Sequence, residues 1–134
     1  MNDRVLGLPR TLWLASAIVI GLVIAVVSVL PPRGTPGIEI ASLGEVRAWV
    51  LHALGYAILA ATAMLAQRAP RPVLTALAIV GYGIVLEAVQ GAIGIRSAQV
   101  ADALANALGA LAGAALAWGV GARSRSTGPA PSAR

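Results

Sequence analysis

Four long apolar runs, separated by short breaks that hold most of the arginines and prolines, set the pattern of this chain. Thr11–Leu30 has no charged residue in 20 positions. As a helix, such a run covers about 30 Å, the thickness of a bilayer's hydrocarbon core. The flank before it, MNDRVLGLPR, has the basic character of a signal-peptide start. The apolar run, however, exceeds the roughly 7–15 residues of a signal h-region and ends in Pro31-Pro32-Arg33 without a small-x-small cleavage pattern. It reads as a retained first span. A second span is predicted over Val46–Ala66, with Ser42 as N-cap and Glu45 completing a capping box. The Gln67–Pro72 break ends it, and Pro72 suits the first turn of a third span, Val73–Ile93, where its missing N–H is not needed. Ser97 can cap a fourth span, Ala98–Val120. The pattern thus predicts an all-α fold, a four-helix transmembrane bundle in one domain over residues 1–120. The tail Gly121–Arg134 has no apolar periodicity and is predicted to be disordered and cytoplasmic.

Composition sharpens this picture. Apolar residues make up 58 % of the chain and charged residues 11 %, against roughly 45–50 % and about 25 % in soluble domains. The chain lacks the polar surface an ordinary soluble globule needs. Cysteine is absent, which excludes disulfides, thiolate catalysis and Cys-ligated zinc. The net charge is +5 and every basic residue is arginine. In a soluble chain this would suggest nucleic acid as a partner; here the sides of the membrane on which the arginines fall decide the reading, and no nucleic-acid partner is expected. Arg4, Arg10, Arg68, Arg71, Arg123, Arg125 and Arg134 fall on one side; Arg33, Arg47 and Arg96 fall on the other. The positive-inside rule then puts both termini in the cytoplasm of a multi-pass bacterial inner-membrane protein, with Pro31–Glu45 facing outward. Trp13, Trp49 and Trp118 lie near span ends, where an indole favours the interface.

Polar residues inside the spans carry the candidate chemistry. His52 is in the second span, Glu87 and Gln90 in the third, Asp102 and Asn106 in the fourth. A carboxylate at mid-membrane costs about 2.5–3.5 kcal/mol on insertion scales, so such groups usually face the bundle interior and mark a functional site. Gly83, Glu87, Gln90 and Gly94 follow i, i+4, i+7, i+11, one helical face; Asp102, Asn106, Gly109 and Gly113 repeat that spacing. Glycine lets membrane helices approach closely, and polar side chains bond across them. Counted at about 1.5 Å per residue, these groups and Arg96 fall within roughly 10–15 Å of the outer surface. That asymmetry favours a pocket open to the outer leaflet over a path across the whole bilayer.

The run Glu87-x-x-Gln90, Arg96, Asp102-x-x-x-Asn106-x-x-Gly109-x-x-x-Gly113, with His52-x-x-x-Tyr56 upstream, resembles the signature of the VanZ-like membrane proteins. The likeness spans Ala48–Gly113. Ala48 and Trp49 stand where that family commonly has an Asp-Lys pair, so any role of the pair is lost or passes to Glu45 and Arg47. The resemblance implies a cell-envelope context and glycopeptide-antibiotic tolerance, without implying a reaction.

Three readings follow. In the first, the pocket binds a membrane lipid or lipid-linked envelope precursor: Glu87, Gln90, Asp102 and Asn106 bond sugar or amide groups, Arg96 grips an anionic phosphate or carboxylate, and His52 belongs to the same site. In the second, it is a membrane-embedded hydrolase or transferase site with a carboxylate/His acid–base pair, since burial raises a carboxylate pKa toward neutrality. In the third, the polar groups only hold helices together, through pairs such as Asp102–Arg96 and Asn106–Gln90, at roughly 0.6–2 kcal/mol per bond. No phosphate loop of the GxxxxGK[ST] type and no HExxH is present. A metal would need His52, Glu87 and Asp102 to converge around a single imidazole, so neither metal nor cofactor is expected.

Overall fold

The computed structural model describes residues 4–30, 41–94 and 100–126. Four helices dominate it: α1 (Arg10–Val29), α2 (Ala41–Ala66), α3 (Pro72–Ala92) and α4 (Val100–Ser126). All four are long and apolar enough to cross a membrane. Ahead of them, β1 (Arg4–Val5) and β2 (Leu8–Pro9) form a two-stranded antiparallel ribbon that the pattern of apolar positions did not predict. Its two turn residues, Leu6 and Gly7, both have positive φ, 53° and 78°, as a two-residue type I′ hairpin requires. Trp13 Nε1 donates to Val5 O at 3.1 Å, tying the ribbon to α1.

Two boundaries differ from expectation. The backbone of Ser42 lies inside α2 and is not its N-cap. The helix-propensity penalty of Ser, about 0.5 kcal/mol, is too small to hold the start at Leu43. At the other end, α4 continues past Val120 to Ser126, so the expected disordered tail is helical in its first six positions, Gly121–Ser126. Extending an existing helix adds one hydrogen bond per residue fixed, and Ala122, Arg123 and Arg125 are good helix formers. Residues 127–134 lie outside the described residues.

Contacts between helices define an up-down-up-down bundle. Arg10, at the start of α1, donates to Leu65 O at 3.2 Å and to Gln67 O, at the end of α2. These are carbonyls that the helix itself leaves unpaired, and a cation complements the dipole there. Tyr82 Oη donates to Gly21 O and Gln90 Nε2 to Ser28 O, each at 2.6 Å, so α1 and α3 run parallel. The tightest pair is α2 with α4, also parallel. A Cβ on Gly109 would lie 2.9 Å from Ala53 Cα, and one on Gly113 2.8 Å from Ala57 Cα. Gly109-x-x-x-Gly113 therefore sits backbone to backbone on Ala53-x-x-x-Ala57, the small-xxx-small packing of membrane helices.

The solvent-facing pattern is inverted relative to a soluble protein. Leucines and valines such as Leu22, Val27, Leu77, Leu108 and Leu116 are more than half exposed. The interior holds Ala60, Ala76, Ala110 and Ala114 with Met64, and the polar Thr62, Thr75, Asp102 and Asn106. Large apolar side chains outside and small or polar ones inside suit a lipid solvent, in which burying apolar surface gives helices no drive to associate.

Candidate functional site

Four of the expected residues meet at the end of the bundle remote from the ribbon. Asn106, 2 % exposed, is the hub. It stands one turn beyond Asp102 on α4, and Gly83 of α3 makes room for it: a Cβ there would lie 3.2 Å from Asn106 Nδ2 and 2.9 Å from Tyr56 Cε1. Asn106 Nδ2 donates to Glu87 Oε1 at 3.0 Å. Its Oδ1 lies 2.9 Å from His52 Nδ1. Because the amide nitrogen is committed to a carboxylate oxygen, Oδ1 must accept, and His52 Nδ1 carries the proton. The other ring nitrogen, Nε2, faces Asp102 Oδ2 at 4.0 Å. Asp102, 4 % exposed, sits in the first turn of α4, where the helix dipole favours an anion. A chain of polar contacts thus runs Glu87–Asn106–His52–Asp102 across α3, α4 and α2. Tyr56, one turn after His52 and buried, packs between Gly83 and the ring of Tyr82, whose centroid is 6.4 Å away.

Gln90 does not join this chain. It shares the stripe of Glu87 but turns to α1, where its amide bonds the backbone carbonyl of Ser28. The pairing of Asn106 with Gln90 is therefore corrected: the partners of Asn106 are Glu87 and His52. Arg96 and Ser97 lie outside the described residues, and so does the pairing of Arg96 with Asp102. Two contributions escaped the sequence reading, Ser28 and Gly21, because each offers a backbone carbonyl that no residue type announces.

Beside the chain, a cavity of about 280 Å³ opens between α1, α2 and α3. Val23, Ile24, Val27 and Leu51 give its lining an apolar part, and Ser28, His52, Tyr56 and Gln90 contribute the polar residues. A small volume with mostly apolar walls and a few converging polar groups has the character of a ligand pocket. Among the described residues no group of three or more His, Cys, Asp or Glu could hold a metal ion. Among the described residues of the opposite half, the buried polar side chains are hydroxyls: Thr62 donates to Ile58 O and Leu59 O, and Thr75 donates to Arg71 O and accepts from Gln67 Nε2.

Fold and cluster together define a multi-pass membrane protein with a polar site in one half of its bundle. No protein-family model, curated protein or solved structure matches the chain.

Proposed function

We propose that this chain is a VanZ-like protein of the bacterial inner membrane, with cytoplasmic termini, that holds the polar part of a membrane lipid or lipid-linked envelope precursor in the α1/α2/α3 cavity, beneath the outer leaflet. The observation that carries the reading is the mixed lining of the cavity: His52, Gln90 and Ser28 beside the aliphatic Val23, Ile24, Val27 and Leu51. A lipid with a hydroxyl- or amide-bearing head combines the same two kinds of surface. Gln90 spends its amide N–H on Ser28 O, which leaves its carbonyl side as an acceptor for such a head. Among the described residues, Arg47, exposed near the start of α2, is a cation available to an anionic group at this end.

The hydrolase or transferase reading draws on the approach of His52 Nε2 to Asp102. It is the weaker one, because both ring nitrogens already face protein groups, Asn106 and Asp102. A general base needs its nitrogen within hydrogen-bond reach of the proton it takes.

Mass spectrometry of lipids retained by the purified protein tests the binding reading. A Cβ on Gly55 would stand 3.7 Å from Ile24 Cδ1, ordinary contact, so Gly55→Ala should retain lipid as the unmodified protein does. Gly55→Leu extends side-chain bulk into the cavity and should abolish retention of one specific lipid class. Equal retention by both variants would remove the cavity from the account.

A further inference from the structure

A second cavity, of about 310 Å³, is cut into the lipid-facing side of the bundle between α3 and α4, at the end remote from His52. It exists because its floor is built from alanines, Ala76 on α3 with Ala114 and Ala115 on α4, while Leu77 and Leu111 raise the rims. Its α3 wall, from Pro72 to Val80, rises about 12 Å at helical pitch. That is most of one leaflet's share of a hydrocarbon core about 30 Å thick. The cavity is therefore a trough as long as a good part of one acyl chain.

The lining of the mouth is apolar, and one charged residue borders it. There the trough runs into a shallower cleft walled by Arg71, and the two share Pro72, Val73 and Leu77. Arg71 is exposed, and Trp118, 53 % exposed, stands on the α4 side. Arg10 and Arg123 belong to the same end of the bundle, the start of α1 and the last turns of α4. A trough without charge leading to a guanidinium and an indole matches a molecule with a long chain and a negative head. Guanidinium grips phosphate through two parallel hydrogen bonds, and an indole N–H is at home at headgroup height.

We propose that the α3/α4 trough seats one acyl chain of an anionic phospholipid whose phosphate group is held at the mouth by Arg71. This site is separate from the His52 cavity and does not depend on its function. The arginine selects for net negative charge, and the alanine floor supplies the room.

Native mass spectrometry of the full chain in detergent, with equal amounts of phosphatidylglycerol and phosphatidylcholine of identical chains, tests this. The unmodified protein should retain phosphatidylglycerol in about fivefold preference, the effect of one arginine near a charged surface. Arg71→Gln should bring that ratio close to one while total bound lipid stays similar. Ala115→Leu adds bulk at an exposed position of the floor and should reduce both lipids. Leu111→Trp blocks the trough from its rim and should do the same, so a folding failure of one variant leaves the other to decide. Equal retention of the two lipids by the unmodified protein, a preference that survives Arg71→Gln, or undiminished lipid in both blocked variants would overturn the proposal. So would a dimer that Ala115→Leu converts to monomer, which would make the trough a surface between two copies of the chain.

Discussion

Gly113→Val should lower the stability of the bundle by about 1–3 kcal/mol or more, the range for overpacking a filled interior. The added side chain has nowhere to go. Even the Cβ would approach Ala57 C to 2.7 Å, and that contact is with backbone, which cannot rotate aside. Helices α2 and α4 would have to separate, and the separation would reach Asn106, two turns earlier on the same face of α4. Gly81→Val in α3 is the matched control, because a Cβ there meets nothing within 4 Å. Unfolding in detergent by increasing denaturant should show a large shift of the midpoint for Gly113→Val and almost none for Gly81→Val. Equal midpoints would mean that α2 and α4 are not in backbone contact.

Asn106→Leu should be nearly as severe. It removes the amide that bonds both Glu87 and His52, and each of these half-buried partners loses a bond worth about 0.5–1.5 kcal/mol. Asn106→Asp separates the two halves of the interaction. The carboxylate still accepts from His52 Nδ1 but presents an oxygen, not an N–H, to Glu87 Oε1, setting two acidic groups against each other. Adding Glu87→Gln to Asn106→Asp restores a donor between α3 and α4 and should recover most of the lost stability. If the double variant is no better than Asn106→Asp alone, the Asn106–Glu87 bond does not contribute as described.

The four spans were legible because hydrophobicity over about 20 residues is a strong signal in a chain with so few charges. The expected first span, Thr11–Leu30, and the observed α1, Arg10–Val29, differ by one residue at each end. The convergence of His52, Glu87, Asp102 and Asn106 was legible for a related reason: groups this costly in lipid are driven together, and the spacing put each on one face with glycines. Gln90 shows where that logic stops. It lies three residues from Glu87, about 60° round the helix, enough to reach a different neighbour. The neighbour's partner atom is the backbone carbonyl of Ser28, which side-chain patterning cannot reveal. The hairpin at Arg4–Pro9 was illegible because two strands of two residues carry no periodicity, and Leu6 adopts a left-handed backbone that Leu seldom takes. Ser42 misled because a capping box is a local preference of about 1 kcal/mol, easily outweighed by continuation of the helix.

Photocrosslinking from the wall of the cavity beside His52 shows whether that cavity selects a particular lipid. Leu51 lines the cavity, whereas Leu54, on the same helix and 55 % exposed, is not among its walls. A photoreactive residue introduced in place of Leu51, activated in intact membranes, should capture one envelope lipid or lipid-linked precursor far above its abundance. The same residue in place of Leu54 should capture the bulk lipid mixture. Identical bulk mixtures at both positions would contradict the account and leave the Glu87–Asn106–His52–Asp102 chain as internal glue between helices.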